Sequence, residues 1–130
     1  MINFAKNLAY KAGKIMRDNF SLGMKKQWKK DGTPLTKTDK IVNELVINEI
    51  SKKFPAHSIL GDERKLMKKS SSFTWVCDLI DGTIPFSHGC PIFTFSLALV
   101  KDGKSILGVL FYDVMLDRLF WAGRGTSTLF

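Results

Sequence analysis

The sequence predicts an α+β domain, with helices layered on an antiparallel sheet. Three observations carry that expectation. Apolar residues recur at helical spacing in two stretches of the first 54 residues. From about residue 73 onward, short β-prone runs alternate with turn signals. The helical stretches precede the strands instead of alternating with them, which favours segregated layers over a wound parallel sheet. At 130 residues and 45% hydrophobic composition, the chain suits one domain with a sizeable core.

The first helix is expected over residues 3–20. Ala5, Leu8, Ala9, Ala12, Ile15, Met16 and Phe20 share one face, and Lys6, Lys11, Lys14 and Arg17 take the other. Asn3 suits the N-cap and Gly23 the C-terminal stop. Asp31-Gly32 then signals a turn, and Pro34 excludes a helix through it. Thr36 and Asp39 stand at capping-box spacing, with Asp in place of the usual Glu or Gln. A second helix follows from about Asp39 to Phe54, burying Val42, Leu45, Val46, Ile50 and Phe54, and Pro55 ends it.

His57 to Gly61 reads as a short strand and turn that ends at the acidic pair Asp62-Glu63. Arg64 to Ser72 is basic, Ser-rich and without period, an exposed mobile loop. Phe73 to Cys77 is a buried strand with Asp78 and Asp81 at its end, and Gly82-Thr83-Ile84-Pro85 opens a turn or short helix. Phe86 to Pro91 is a loop. Strands are expected over residues 93–100, 105–112 and 118–122, with a hairpin turn at Lys101-Asp102-Gly103-Lys104 and turns at 113–117 and 123–125. Ser127 to Phe130 begins a further strand without a partner, so the chain reads as cut short at an open sheet edge that favours pairing or aggregation.

Charge is unevenly spread. Residues 1–70 hold 16 Lys and Arg against 7 Asp and Glu, whereas residues 71–130 hold 4 against 5. A basic first half suits anionic ligands such as phosphate esters; a solvated lysine surface is the plainer reading and outweighs a dedicated nucleic-acid site. Two cysteines, Cys77 and Cys90, make no disulfide framework. With no signal peptide or apolar span, a cytoplasmic location is expected.

Most motif chemistries fail on spacing. His88 and Cys90 lack a third, orienting group. His57, His88, Cys77 and Cys90 do not form a usual zinc pattern. Gly123-Arg124-Gly125 lacks the third glycine and helix of a dinucleotide fingerprint. The Asp78–Thr83 stretch is different. Carboxylates at a strand end beside free backbone amides can hold a hard cation and the phosphate it binds.

Trp75 to Thr83, followed by Phe86, Gly89 and Pro91, resembles the metal-binding signature of the inositol monophosphatase family. Leu35-Thr36-Lys37-Thr38-Asp39 is similar to that family's Val-Thr-x-x-Asp element, and Ile59 to Glu63 to its Gly-Glu-Glu element. Ser96 to Leu99 and Gly108 to Asp113 resemble the two strands that follow, so the likeness covers nearly the whole chain in family order. It implies the N-terminal half of a layered αβαβα fold and a Mg²⁺-dependent phosphomonoesterase. Asp62, Asp78 and Asp81 would be metal ligands together with the Ile80 carbonyl, and Glu63 a supporting acid. Asp39 and Thr83 would be catalytic, orienting and activating water, and the Gly82 and Thr83 amides would hold phosphate. A small phosphorylated substrate is implied: an inositol or sugar phosphate, histidinol phosphate or a nucleotide 3′-phosphate. A homodimer of the full-length form is compatible with this, nucleic acid is a less favoured partner, and no membrane is expected.

The sequence also departs from the family. Asp62 replaces Glu, Leu79 replaces Pro, and Ile84-Pro85 replaces Thr-Asn. No Trp-Asp-x-Ala-Ala-like element occurs, and the family's C-terminal half, with its further ligand aspartate, is absent. The alternative is therefore a truncated, non-catalytic family member acting as an interaction or RNA-binding module.

Overall fold

A computed structural model describes the chain except residues 22–24, 31, 33, 62–66 and 126–130; for Pro34, Leu35, Tyr112 and Asp113 it describes the backbone alone. The expected Gly23 stop, the acidic pair Asp62-Glu63 and the strand from Ser127 fall outside the described residues. Helix α1 spans Ile2–Asn19 and α2 spans Lys37–Lys53. Strands β1 (Lys26–Trp28) and β2 (Pro34–Thr36) lie between them. β3 (Ser58–Gly61), β4 (Phe73–Asp81), α3 (Thr83–Ser87), β5 (Thr94–Lys101), β6 (Lys104–Asp113) and β7 (Arg118–Gly123) follow.

The main sheet has the order β3-β4-β5-β6-β7. β4 to β7 are antiparallel neighbours, as expected for a meander. β3 differs: it pairs parallel with β4, matching Ser58 with Thr74 through Gly61 with Cys77. Parallel neighbours need a crossover, and in sequence only residues 62–72 separate β3 from β4. That stretch is shorter than most crossovers and carries no helical period, which is why the sequence suggests no parallel pair.

Both long helices cover one face of the sheet, α1 against β5 to β7 and α2 against β3 and β4. The core forms where their apolar stripes meet alternate strand residues. Leu8, Ala12, Met16, Val42, Val46 and Ile50 pack with Trp75, Phe95, Leu97, Leu99, Val109 and Phe111. Ala9 and Gly13 on α1 let the helix approach closely: a Cβ on Gly13 would stand 2.1 Å from Phe111 Cε1.

Three local expectations change. α1 begins one residue early, with Met1 at the N-cap and no side-chain cap, so Asn3 does not cap it. Phe86 and Ser87 belong to α3 and are buried, not part of a loop. β1 and β2 form a separate antiparallel hairpin, with Trp28 opposite Pro34. Asp-Gly between two short runs is a hairpin signal, but the runs hold only three residues each. The capping box at Thr36 and Asp39 is present in both directions, Thr36 Oγ1 accepting from the Asp39 amide and Asp39 accepting from the Thr36 amide.

Candidate functional site

The acidic motif sits where β4 runs out. The β4–β5 register slips between Asp78 and Asp81, so the strand ends in an irregular step. Alternation buries Trp75, Cys77 and Leu79 beneath the helices and turns Val76 and Asp78 to the opposite face. Asp78 stands opposite Ser96 in register and is half-buried, whereas Asp81 is exposed.

Gly82 then takes a left-handed conformation, φ 87° and ψ 39°, and caps α3. A Cβ there would lie 2.8 Å from the Ile92 carbonyl oxygen. Glycine is therefore required twice, for backbone angle and for space. Thr83 opens α3, and its hydroxyl donates to the Ile80 carbonyl at 2.7 Å. That bond closes the turn and uses the hydroxyl's one proton, so its oxygen lone pairs keep their accepting capacity. Pro85 falls in the first helical turn, where an amide has no intrahelical acceptor, so its missing N–H costs no bond.

Asp39 comes from a different segment. It is only 3% exposed at the start of α2. Its Oδ2 accepts from the Thr36 amide at 2.7 Å and from Thr36 Oγ1 at 2.6 Å. The two donors fix the carboxyl at the N-terminus of α2. β2 packs against α3 and leads straight into α2 at Thr36. Lys26 Nζ reinforces that contact by donating to the Ser87 carbonyl at 3.2 Å. The hairpin thereby brings the α2 start towards the α3 end of the Asp78–Thr83 turn. Sequence reasoning misses Lys26, because nothing sets it apart from the other lysines of that stretch.

The structure gathers Asp78, Ile80, Asp81, Gly82 and Thr83 into one turn. Asp62 and Glu63 lie outside the described residues, just beyond β3, which ends beside Cys77 of β4. Among the described residues no group of three metal-ligating side chains assembles. The described donors are two carboxylates and a carbonyl, all hard oxygen ligands, and that set fits Mg²⁺ in chemistry. Ile80 is compatible with this, because a carbonyl that accepts from Thr83 keeps a second lone pair.

On the sheet face away from the helices lies an open concavity of about 660 Å³. One register row crosses it as Leu60, Val76, Ala98, Gly108 and Ala122, with Asp78 among the lining residues.

Comparison with known proteins gives this geometry its relatives. The sequence model of the inositol monophosphatase family matches residues 1–129. The chain belongs to that family. A histidinol-phosphatase of Chlorobaculum parvum is 36% identical over 127 residues, covering 97% of this chain and 49% of that protein. Inositol monophosphatase 1 of Sus scrofa is 33% identical over 129 residues, covering 95% and 46%. The crystal structure of extragenic suppressor protein suhB from Bartonella henselae superposes with a TM-score of 0.88 at 31% identity, covering 99% of this chain and 50% of that one. The chain therefore spans about half the length of the family members it matches. Their fold accounts for its helices and mixed sheet. No helix among the described residues is long and apolar enough to cross a membrane.

Proposed function

We propose that this inositol monophosphatase family chain carries the metal- and phosphate-holding part of a Mg²⁺-dependent phosphomonoesterase. The observation that carries the reading is the Asp78–Thr83 turn. It combines two carboxylates, a left-handed glycine with no room for a side chain, and a threonine hydroxyl bonded back to the Ile80 carbonyl. The phosphatase names of its relatives support it.

Asp78, Asp81 and the Ile80 carbonyl would hold the cation, joined by Asp62 with Glu63 in support. When bound, Mg²⁺ supplies charge neutralisation for the attacking and leaving oxygens of an in-line displacement. The chain's residues do the positioning. The Gly82 and Thr83 amides, in the first turn of α3, hold the phosphate oxygens. Thr83 spends its proton on Ile80, so its oxygen accepts a hydrogen bond from the attacking water. Asp39, held by two donors from Thr36, acts with Thr83 to orient that water and take its proton. Phosphoryl transfer needs such positioning more than covalent help. The substrate class is a small phosphate monoester: inositol or sugar phosphate, histidinol phosphate or nucleotide 3′-phosphate.

Phosphate release from a panel of these esters tests the proposal, with the 130-residue chain and with any longer product of its reading frame. Release is expected only with Mg²⁺ and is lost in Asp81→Asn. Inactivity of both forms across the panel refutes it and favours the non-catalytic interaction module, and full activity in Asp81→Asn refutes the role given to the acidic turn.

A further inference from the structure

His57 is a titratable group that the proposed chemistry does not use. It lies in the connection from α2 to β3. Its ring stacks on Phe54 at 4.9 Å with an interplanar angle of 8°, and on Phe73 at 4.8 Å and 14°. Trp75 Nε1 donates to its Nδ1 at 3.1 Å. An indole nitrogen only donates, so Nδ1 must be the bare, accepting nitrogen, and the proton of neutral His57 sits on Nε2. Phe4 of α1 closes the cluster, edge-on to Phe54 at 5.0 Å and to Trp75 at 5.6 Å.

The cluster joins two elements at their far ends. Phe54 caps α2, whose other end carries Asp39. Phe73 and Trp75 begin β4, whose other end carries Asp78 and Asp81. From Phe54 back to Asp39 is about 22 Å at ~1.5 Å per helical residue. From Trp75 on to Asp81 is about 20 Å at ~3.3 Å per strand residue. His57 thus ties the helix to the strand at the end remote from the acidic turn.

We propose that neutral His57 is a pH-sensitive latch that holds the C-terminal end of α2 against the start of β4 and releases it on protonation. An imidazolium carries hydrogen on both nitrogens, so Nδ1–H would face the indole N–H and the bond would become a repulsion. The charged groups near the cluster add to this. Lys69 donates to the Pro55 carbonyl, and Lys101 Nζ lies 5.3 Å from the Phe73 ring centre. Lys52 and Lys53 end α2, and Lys68 precedes Lys69. Among the described residues, an acid on this side is Asp102, exposed on the β5–β6 turn, whose amide donates to the Ser72 carbonyl beside Phe73. The ion pairs among the described residues are Lys11–Glu49, Lys14–Asp18 and Arg17–Asp117, none of them with His57. The two phenyl faces attract an imidazolium and so oppose release, but protonation removes the indole bond, which exists only with the neutral ring. Burial pushes the His57 pKa below its ordinary 6.5. The sign follows: the unfolded chain binds the proton more readily, so the latch contributes fully above about pH 6.5 and is lost as pH falls from there through the folded value. The latch stands on the packing alone; its bearing on the acidic turn rests on the phosphatase reading.

Thermal melts of the 130-residue chain from pH 8 to pH 5 test it, with His57→Gln and His57→Phe beside wild type and a ¹H NMR titration of the His57 ring. In wild type the ring is expected to titrate below 6.5, and the Trp75 indole N–H resonance to move with the same midpoint. Wild type should melt above both variants at pH 8, and this gap should shrink as pH falls below 6.5. His57→Phe keeps an aromatic ring in the stack, so it serves if the glutamine variant does not fold. A ring that titrates at or above 6.5, an indole resonance indifferent to pH, or a gap constant with pH overturns the latch. Loss of Mg²⁺-dependent phosphatase activity with the titration intact would count against the phosphatase reading alone.

Discussion

Gly82→Ala is the sharpest test of the acidic turn. Gly82 has φ 87°, and an added Cβ would stand 2.8 Å from the Ile92 carbonyl oxygen. Left-handed backbone costs a non-glycine residue about 1–2 kcal/mol. The clash is with backbone and cannot be relieved by a rotamer change, so it adds an overpacking cost of about 1–3 kcal/mol. Together these predict a loss of about 2–5 kcal/mol. Gly103 supplies the control. It has φ 77° in the exposed β5–β6 turn, and nothing lies within 4 Å of the position a Cβ would take there. Gly103→Ala therefore incurs the backbone cost alone, about 1–2 kcal/mol. Urea unfolding followed by circular dichroism measures both. With m near ~2 kcal/mol/M, Gly82→Ala should lower the midpoint by about 1–2.5 M with m unchanged. A Gly82→Ala variant no less stable than Gly103→Ala would refute the claim that close packing against Ile92, beyond backbone angle, demands glycine there.

Other outcomes follow from the same packing. Gly13→Ala gains about 1 kcal/mol of helix propensity but drives a methyl to 2.1 Å from Phe111, so a net loss of about 1–2 kcal/mol is expected, partly recovered by adding Phe111→Leu; a stabilised single variant would contradict it. Thr36→Ala removes the α2 capping box and should cost about 0.5–2 kcal/mol by thermal melting, while Thr36→Ser retains most of the stability. Lys11→Ala breaks a 2.7 Å pair with Glu49, but the side chains are 55% and 33% exposed, so the change should stay below about 1 kcal/mol and vanish at high salt.

Much of the site is legible in the sequence because its signals are local. The capping box needs only Thr36 and Asp39 three residues apart, and both halves of it form. The turn needs a glycine directly after Asp81, and Gly82 adopts the left-handed angle. Helix and strand periods place α1, α2 and β4 to β7 because each buries one face against the same core. The β1–β2 hairpin is not legible, because three-residue strands draw their stability from packing on α3 and from Lys26 reaching the Ser87 carbonyl, sixty-one residues away. The parallel seat of β3 is equally hidden, since neighbour choice in a sheet is a contest among distant segments.

By itself the sequence determined the two long helices, the strands β4 to β7 and the family, since these are written in residue type and short spacing. Only the tertiary structure decided which distant groups meet. It set β3 beside β4 and the hairpin over α3. It placed His57 between Phe54 and Phe73, three positions spread over twenty residues. Packing joins segments by burying shared surface, and no local rule of helix or strand records that choice.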